Sequence, residues 1–171
     1  MHKSLALFAL LLLAVAPAAA QDAPSGLPDN MLVEELPNGL QIVVEERHSA
    51  PIVHVRAYMR IGSLYEGEYL GCGMSHYMEH LVSGGSTRRQ VKGPDGKMVW
   101  VGRTEPENKK LLKSIGGNSN ASTFYNYTNY YITTKSEMVE TAVDLISDYL
   151  KNCQFDPVEV AREQRVVQQE L

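Results

Sequence analysis

The chain has 171 residues, 44% of them hydrophobic and 21% charged, with a formal net charge of −4. Its 13 Gly and 8 Pro fall within ordinary globular usage, which excludes collagen-like, low-complexity and largely disordered chains. So weak an acidity offers no bulk attraction to nucleic acid or an anionic membrane, and two cysteines, Cys72 and Cys153, allow at most one disulfide.

The amino terminus opens with a short basic stretch, Met1 to Ser4, and an unbroken apolar run from Leu5 to Ala16, closed by Ala18-Ala19-Ala20. This is the pattern of a secretory signal peptide over residues 1–20, and the run is too short to span a bilayer comfortably. Export to the periplasm or the medium is expected, with no membrane span after cleavage. Residues 21–30 carry Pro24 and Pro28 and read as a linker, leaving residues 31–171 as the folded domain.

Leu32–Leu36 and Leu40–Val44 flank Pro37-Asn38-Gly39, a strong hairpin signal. Ile52–Ile61 alternates, with Val53, Val55, Ala57, Met59 and Ile61 on one face, as in a strand covering a core on one side. Gly73–Val82 reads as a helix. Residues 83–103, rich in Gly and Arg and containing Gly93-Pro94-Asp95-Gly96, read as a long surface loop or a small hairpin. Pro106–Ile115 is a helix stopped by Gly116-Gly117, and Asn120–Tyr125 and Thr128–Thr134 are strands rich in Thr and Tyr. From Ser136 the apolar residues Met138, Val139, Ala142, Val143, Ile146, Tyr149 and Leu150 follow helical spacing. Asp156-Pro157-Val158-Glu159 then starts a last helix. Strands followed by helices that return against them imply an α+β fold with a mainly antiparallel sheet and helices on one face. The chain ends inside that last helix with no capping signal, so the domain is expected to be truncated at its carboxyl terminus.

The chemistry concentrates in His76-Tyr77-Met78-Glu79-His80. Residues four apart share a helix face, so both imidazoles can reach one ion, and neutral imidazole is a good zinc ligand. Glu79 lies close to the same face and can take a proton from water acidified by the metal. This is the zinc motif His-Glu-x-x-His in inverted order. A catalytic zinc site needs a third protein ligand; the candidates are Glu163, Glu170, Cys153, His48 and His54. Glu163 and Glu170 share a face of the last helix but stand two turns apart, so only one can bind the ion. His54, on an alternating strand, reads as a half-buried structural residue.

Taken together, these pieces resemble the pitrilysin/insulinase zinc metallopeptidases, which include the mitochondrial processing peptidase, over residues 31–171. Leu36-Pro37-Asn38-Gly39-Leu40 resembles the family's opening hairpin. Gly62-Ser63, Glu66, Gly71 and His76–His80 resemble its zinc helix and approach, Gly116-Gly117 with Asn120-Ala121-Ser122-Thr123 its Asn-Ala strand, and Glu163–Leu171 its third-ligand helix. The resemblance implies that His76, His80 and Glu170 bind one Zn2+, that Glu79 is the general base and that Glu163 supports the site without binding metal. Asn120, Ala121, Ser122 and Thr123 would hold an extended peptide by strand addition at a sheet edge. The long separation of His80 from Glu170 is attributed to an insertion within residues 83–103. The implied function is an exported zinc metalloendopeptidase acting on peptides or unfolded polypeptides, completed by a second related domain or subunit. Two rivals stand beside it: a non-catalytic substrate-binding or partner subunit of the same fold, and a small-molecule lyase resembling S-ribosylhomocysteine lyase, with Cys153 as ligand.

Overall fold

The computed structural model describes residues 26–170, so the expected signal peptide, residues 21–25 of the expected linker, and Leu171 lie outside the described residues. The chain divides into two compact units, with the boundary between Ser49 and Ala50.

The first unit holds the expected hairpin. Strand β1 (Met31–Glu35) pairs antiparallel with β2 (Gln41–Glu45), Val33 opposite Val43. Gly39 takes a left-handed φ of +81° at the reversal, a conformation that glycine adopts without a Cβ clash. The Gly39 N–H donates to the Leu36 carbonyl (2.8 Å), and the Asn38 side chain accepts from the Leu40 N–H (3.2 Å).

The second unit runs β3 (Ile52–Met59), two 3-10 turns (Ser63–Tyr65 and Gly67–Tyr69), α1 (Met74–Val82), β4 (Thr87–Lys92), β5 (Met98–Arg103), α2 (Glu105–Ser114), β6 (Asn118–Thr123), β7 (Thr128–Lys135), α3 (Val139–Asn152) and α4 (Pro157–Glu170). The fold is α+β and every strand pairing is antiparallel. Among the described residues the pairing is shared among three small sheets; the one that supports the site has the order β3-β7-β6. In it Ala57, Tyr130 and Ala121 align across the three strands, as do Met59, Thr128 and Thr123.

The core lies where α3 covers this sheet. Tyr130 and Ile132 of β7 pack with Ala142, Leu145, Ile146 and Tyr149 of α3, and Val55, Ala57 and Ala121 close the margin. These α3 positions keep the expected helical spacing, but the buried stripe is rotated from the one expected. Leu145 is fully buried, whereas Val139 and Val143 are exposed, because the stripe must follow the sheet and not every apolar position can.

Residues 83–103 resolve into a hairpin, β4 pairing β5 with Gln90 opposite Trp100. Its root is buried, unlike a surface loop: Thr87 bridges to Cys153, and the Gln154 N–H donates to the Ser86 carbonyl (2.8 Å). Asp148 of α3 holds that root through Thr87 Oγ1 (2.7 Å), Arg103 Nη2 (2.6 Å) and Arg89 Nη1 (3.1 Å). Gly85 just ahead of it approaches the end of α1 so closely that a Cβ would lie 2.5 Å from the Leu81 carbonyl oxygen.

Candidate metal centre

Helix α1 begins at Gly73, whose φ is +71° and which offers no side-chain cap. The first turn is served from a distance instead, by Glu66 Oε1 accepting the Ser75 N–H (2.8 Å), an anion at the positive end of the helix. One turn of α1 then sets His76 and His80 with ring centroids 4.8 Å apart and planes at 80°. Their Nε2 atoms approach to 3.2 Å. Helix α4 starts as the sequence implies, with Asp156 Oδ1 accepting from the Val158 N–H (2.9 Å) and Pro157 in the first turn. It is pinned to α1 where the Tyr77 hydroxyl donates to the Val160 carbonyl (2.8 Å).

That pin brings the far end of α4 over the imidazoles. Glu170 Oε2 lies 3.3 Å from His76 Nε2 and 3.4 Å from His80 Nε2. Among the described residues, these are the His, Cys, Asp and Glu donors that converge on one point. The donor separations are those of tetrahedron edges, since ligands about 2.0–2.1 Å from a zinc ion lie about 3.3–3.4 Å from one another. Two imidazoles and a carboxylate are also a donor set of the kind zinc takes, and the Glu170 side chain is 46% exposed.

Glu163, two turns earlier on α4, faces the other side of the same ring: its Oε2 lies 2.9 Å from His80 Nδ1. Its Oε1 accepts from Arg162 Nε (2.8 Å). Burial pushes this carboxyl up, but the hydrogen bonds from His80 and Arg162 outweigh it and hold the group below the ordinary glutamate value. Glu79, buried on α1, accepts from the Thr123 hydroxyl through Oε2 (2.6 Å). A cavity of about 230 Å³ lies alongside, lined by Glu79, His80, Glu163, Arg162, Asn120 and Ala121 among others.

Strand β6 borders this cavity and, among the described residues, pairs with β7 alone, so it is an edge of its sheet there. The Phe124 N–H donates to the Tyr127 carbonyl (2.8 Å) at the reversal between them. By the alternation of an antiparallel ladder, the main-chain groups of Ser119, Ala121 and Thr123 therefore face the open side. At Ala121 both are covered by neighbours: Asn120 Oδ1 accepts its N–H (2.9 Å) and the Ser122 hydroxyl donates to its carbonyl (2.7 Å).

Residues 97–171 match the family model described as Insulinase (Peptidase family M16). A probable mitochondrial-processing peptidase subunit beta of Arabidopsis thaliana is 30% identical over 81% of this chain and 23% of its own length. An uncharacterized zinc protease of Rickettsia felis is 28% identical over 85% of this chain and 32% of its own. A crystal structure of a protease from Helicobacter pylori superposes with a TM-score of 0.64 at 26% identity, covering 82% of this chain and 30% of that one. This chain is of the pitrilysin/insulinase type. It spans between 23% and 32% of the length of these curated relatives.

Within the second unit of this insulinase-type chain, the sequence candidates His54 and Cys153 are not among the converging donors. His54 is exposed where a half-buried position was expected, because it falls on the uncovered face of the sheet. There its Nδ1 meets Thr133 Oγ1 (2.8 Å) and its ring lies 5.0 Å from that of Tyr131. His48 belongs to the first unit, 3.6 Å from Glu46. The Cys153 thiol donates to the Leu81 carbonyl (3.3 Å), and burial pushes its pKa up, away from the thiolate a metal requires. Both cysteines are free. Sequence reasoning missed Tyr77, Arg162 and the side-chain contact from Thr123 to Glu79. Tyr77 and Arg162 adjoin singled-out residues on the same helices, which is the one signal that could have found them.

Proposed function

We propose that this chain is the metal-holding domain of an exported zinc metalloendopeptidase. In this reading His76, His80 and Glu170 bind one Zn2+, Glu79 is the general base, and Glu163 orients His80. The carrying observation is the convergence of two imidazoles and a carboxylate at tetrahedral spacing, one helical residue away from a buried, oriented carboxylate. Several relatives named as zinc proteases support it.

Zinc in such a site supplies Lewis acidity toward a carbonyl and acidifies water. The protein's own groups do the rest. Thr123 holds Glu79 Oε2, leaving Oε1 to accept a proton from the attacking water and return it to the departing amine nitrogen. Glu163 accepts from His80 Nδ1–H, fixing the ring so that Nε2 would be free to hold the ion. The open edge of β6, Asn120 to Thr123, pairs with the backbone of an extended peptide, which binds polypeptide with little regard to sequence. The basic start and apolar run of residues 1–20, the sequence pattern of a signal peptide, support export. The subunit names of the Arabidopsis and bovine relatives support a second related domain or subunit as partner.

A Glu79→Gln variant of the full chain tests this reading. Zinc binding is expected to persist while cleavage of an unfolded polypeptide falls by about 10²- to 10⁴-fold. A second reading is a non-catalytic substrate-binding or partner subunit of the same fold, and the likeness to a protein named as a subunit of a complex, cytochrome b-c1 complex subunit 1 of Bos taurus, supports its partner part. Unchanged function in the Glu79 variant would support that second reading.

A further inference from the structure

A chain of charges runs from α2 through α4 to α1. The Arg162 guanidinium stands between two carboxylates, its Nε bonded to Glu163 Oε1 (2.8 Å) and its Nη2 to Glu105 Oε2 (2.8 Å). Glu163 continues to His80 Nδ1 (2.9 Å), and the other oxygen of Glu105 meets Lys109 one turn along α2. Both carboxylates are largely shielded, with side chains 14% and 16% exposed for Glu105 and Glu163.

We infer that Arg162 is a positioning residue for the metal centre: anchored by Glu105, it locks the Glu163 carboxylate against His80. The inference rests on the zinc reading above. The second nitrogen of a metal-bound imidazole needs an acceptor of fixed orientation, and such acceptors strongly affect metal affinity. A carboxylate bonded only to the imidazole can swing about its own side-chain torsions. With Oε1 held by a rigid, planar guanidinium, that freedom is removed. The guanidinium is itself held by a residue of a different helix. Glu105 sits in the first turn of α2, whose start is fixed by the Thr104 N–H donating to Glu107 (2.7 Å) and the Glu105 N–H donating to Ser86 Oγ (3.0 Å). Ser86 in turn donates through its N–H to Glu159 of α4 (2.9 Å). The anchor and the helix it steadies are therefore joined by a second route through Ser86. An ordinary surface ion pair contributes little because both partners are wet and mobile. This one differs in that both carboxylates are shielded, while the Arg162 side chain between them is 45% exposed, and in having a ligand at its end.

The sign of a substitution depends on separating position from charge, because removing a cation near the dication would by itself favour metal binding. Arg162→Lys keeps the charge and loses the two-armed bridge. Zinc affinity is read by competition with a chromophoric chelator, on the full chain, alongside the melting temperature of the zinc-free protein. Arg162→Lys is expected to bind zinc about three- to tenfold more weakly, less than the effect of losing Glu163 itself. Its zinc-free melting temperature should stay within about 2 °C of the parent. Glu105→Gln should weaken binding in the same sense, and Lys109→Gln should change it by less than about twofold. Parent-like affinity in both Arg162→Lys and Glu105→Gln would overturn the inference. So would a loss of affinity matched by an equal loss of zinc-free stability, which would assign Arg162 to helix packing alone. A parent chain that binds no zinc would instead overturn the reading on which the inference stands.

Discussion

Asp148 and Glu170 are both carboxylates met by nitrogen groups from other elements, yet their surroundings differ in kind. Asp148, with its side chain 4% exposed, receives Thr87, Arg103, Arg89 and Asn152 at 2.6 to 3.1 Å. Its partners are permanent donors, so the group is complete as it stands. Glu170 faces two imidazole Nε2 atoms instead, and neutral imidazoles turn lone pairs toward it as readily as protons. Acceptors gathered around a shared point are completed by a cation. The first cluster is a strut that ties the β4–β5 hairpin to α3; the second has the chemistry of a receptor.

The contrast breaks most sharply under substitution. Glu170→Gln should weaken zinc binding by more than about 100-fold, beyond what loss of an outer partner does, while the zinc-free protein unfolds as before. Asp148→Ala should do the reverse. Arg103 and Arg89 lose their buried acceptor, so denaturant unfolding should show a loss of about 3–5 kcal/mol. Glu163→Gln sits between the two, with zinc affinity reduced about 10- to 100-fold in a chelator competition. The smallest effect is in pH. Burial raises the Asp148 carboxyl, but its hydrogen bonds from Thr87 and Asn152, with the charges of Arg103 and Arg89, hold it below the ordinary aspartate value. A depressed folded value means that its stabilisation is present above the unfolded aspartate range and is lost as pH falls through the folded value. The acid limb of a thermal-stability profile should therefore flatten in Asp148→Asn.

Local signals carried much of this in the bare sequence. Asn38-Gly39 announced the first hairpin, alternation announced β3, and Asp156-Pro157 marked the start of α4. Spacing alone paired His76 with His80. Long-range geometry was less legible. Spacing left Glu163 and Glu170 as equal candidates and the family resemblance chose Glu170; the geometry that places Glu170 at the imidazole Nε2 atoms comes from α4 lying on α1, pinned by Tyr77. Asp148 sits on a helix whose apolar residues drew attention, and nothing local says that two arginines from a hairpin will reach it. Strand β6 lies two residues earlier than the Thr- and Tyr-rich stretch suggested. Its end is set by the reversal at Phe124, where the backbone of Gly62 and its neighbours approaches too closely for a side chain at Gly62. The Thr123 hydroxyl reads as strand composition in one dimension and becomes a partner of Glu79 only in three.

The small side chains over the Ala121 peptide groups have a consequence for how such molecules coexist at high concentration. A bare sheet margin pairs with any extended chain, including its own copies, and many proteins blunt it with charge, proline or a bulge. Here the blunting comes from an amide and a hydroxyl, which a rotation about one or two bonds withdraws. The margin is thus sheltered against chance stacking yet is not permanently sealed, and colloidal behaviour and guest access become two settings of the same pair of side chains.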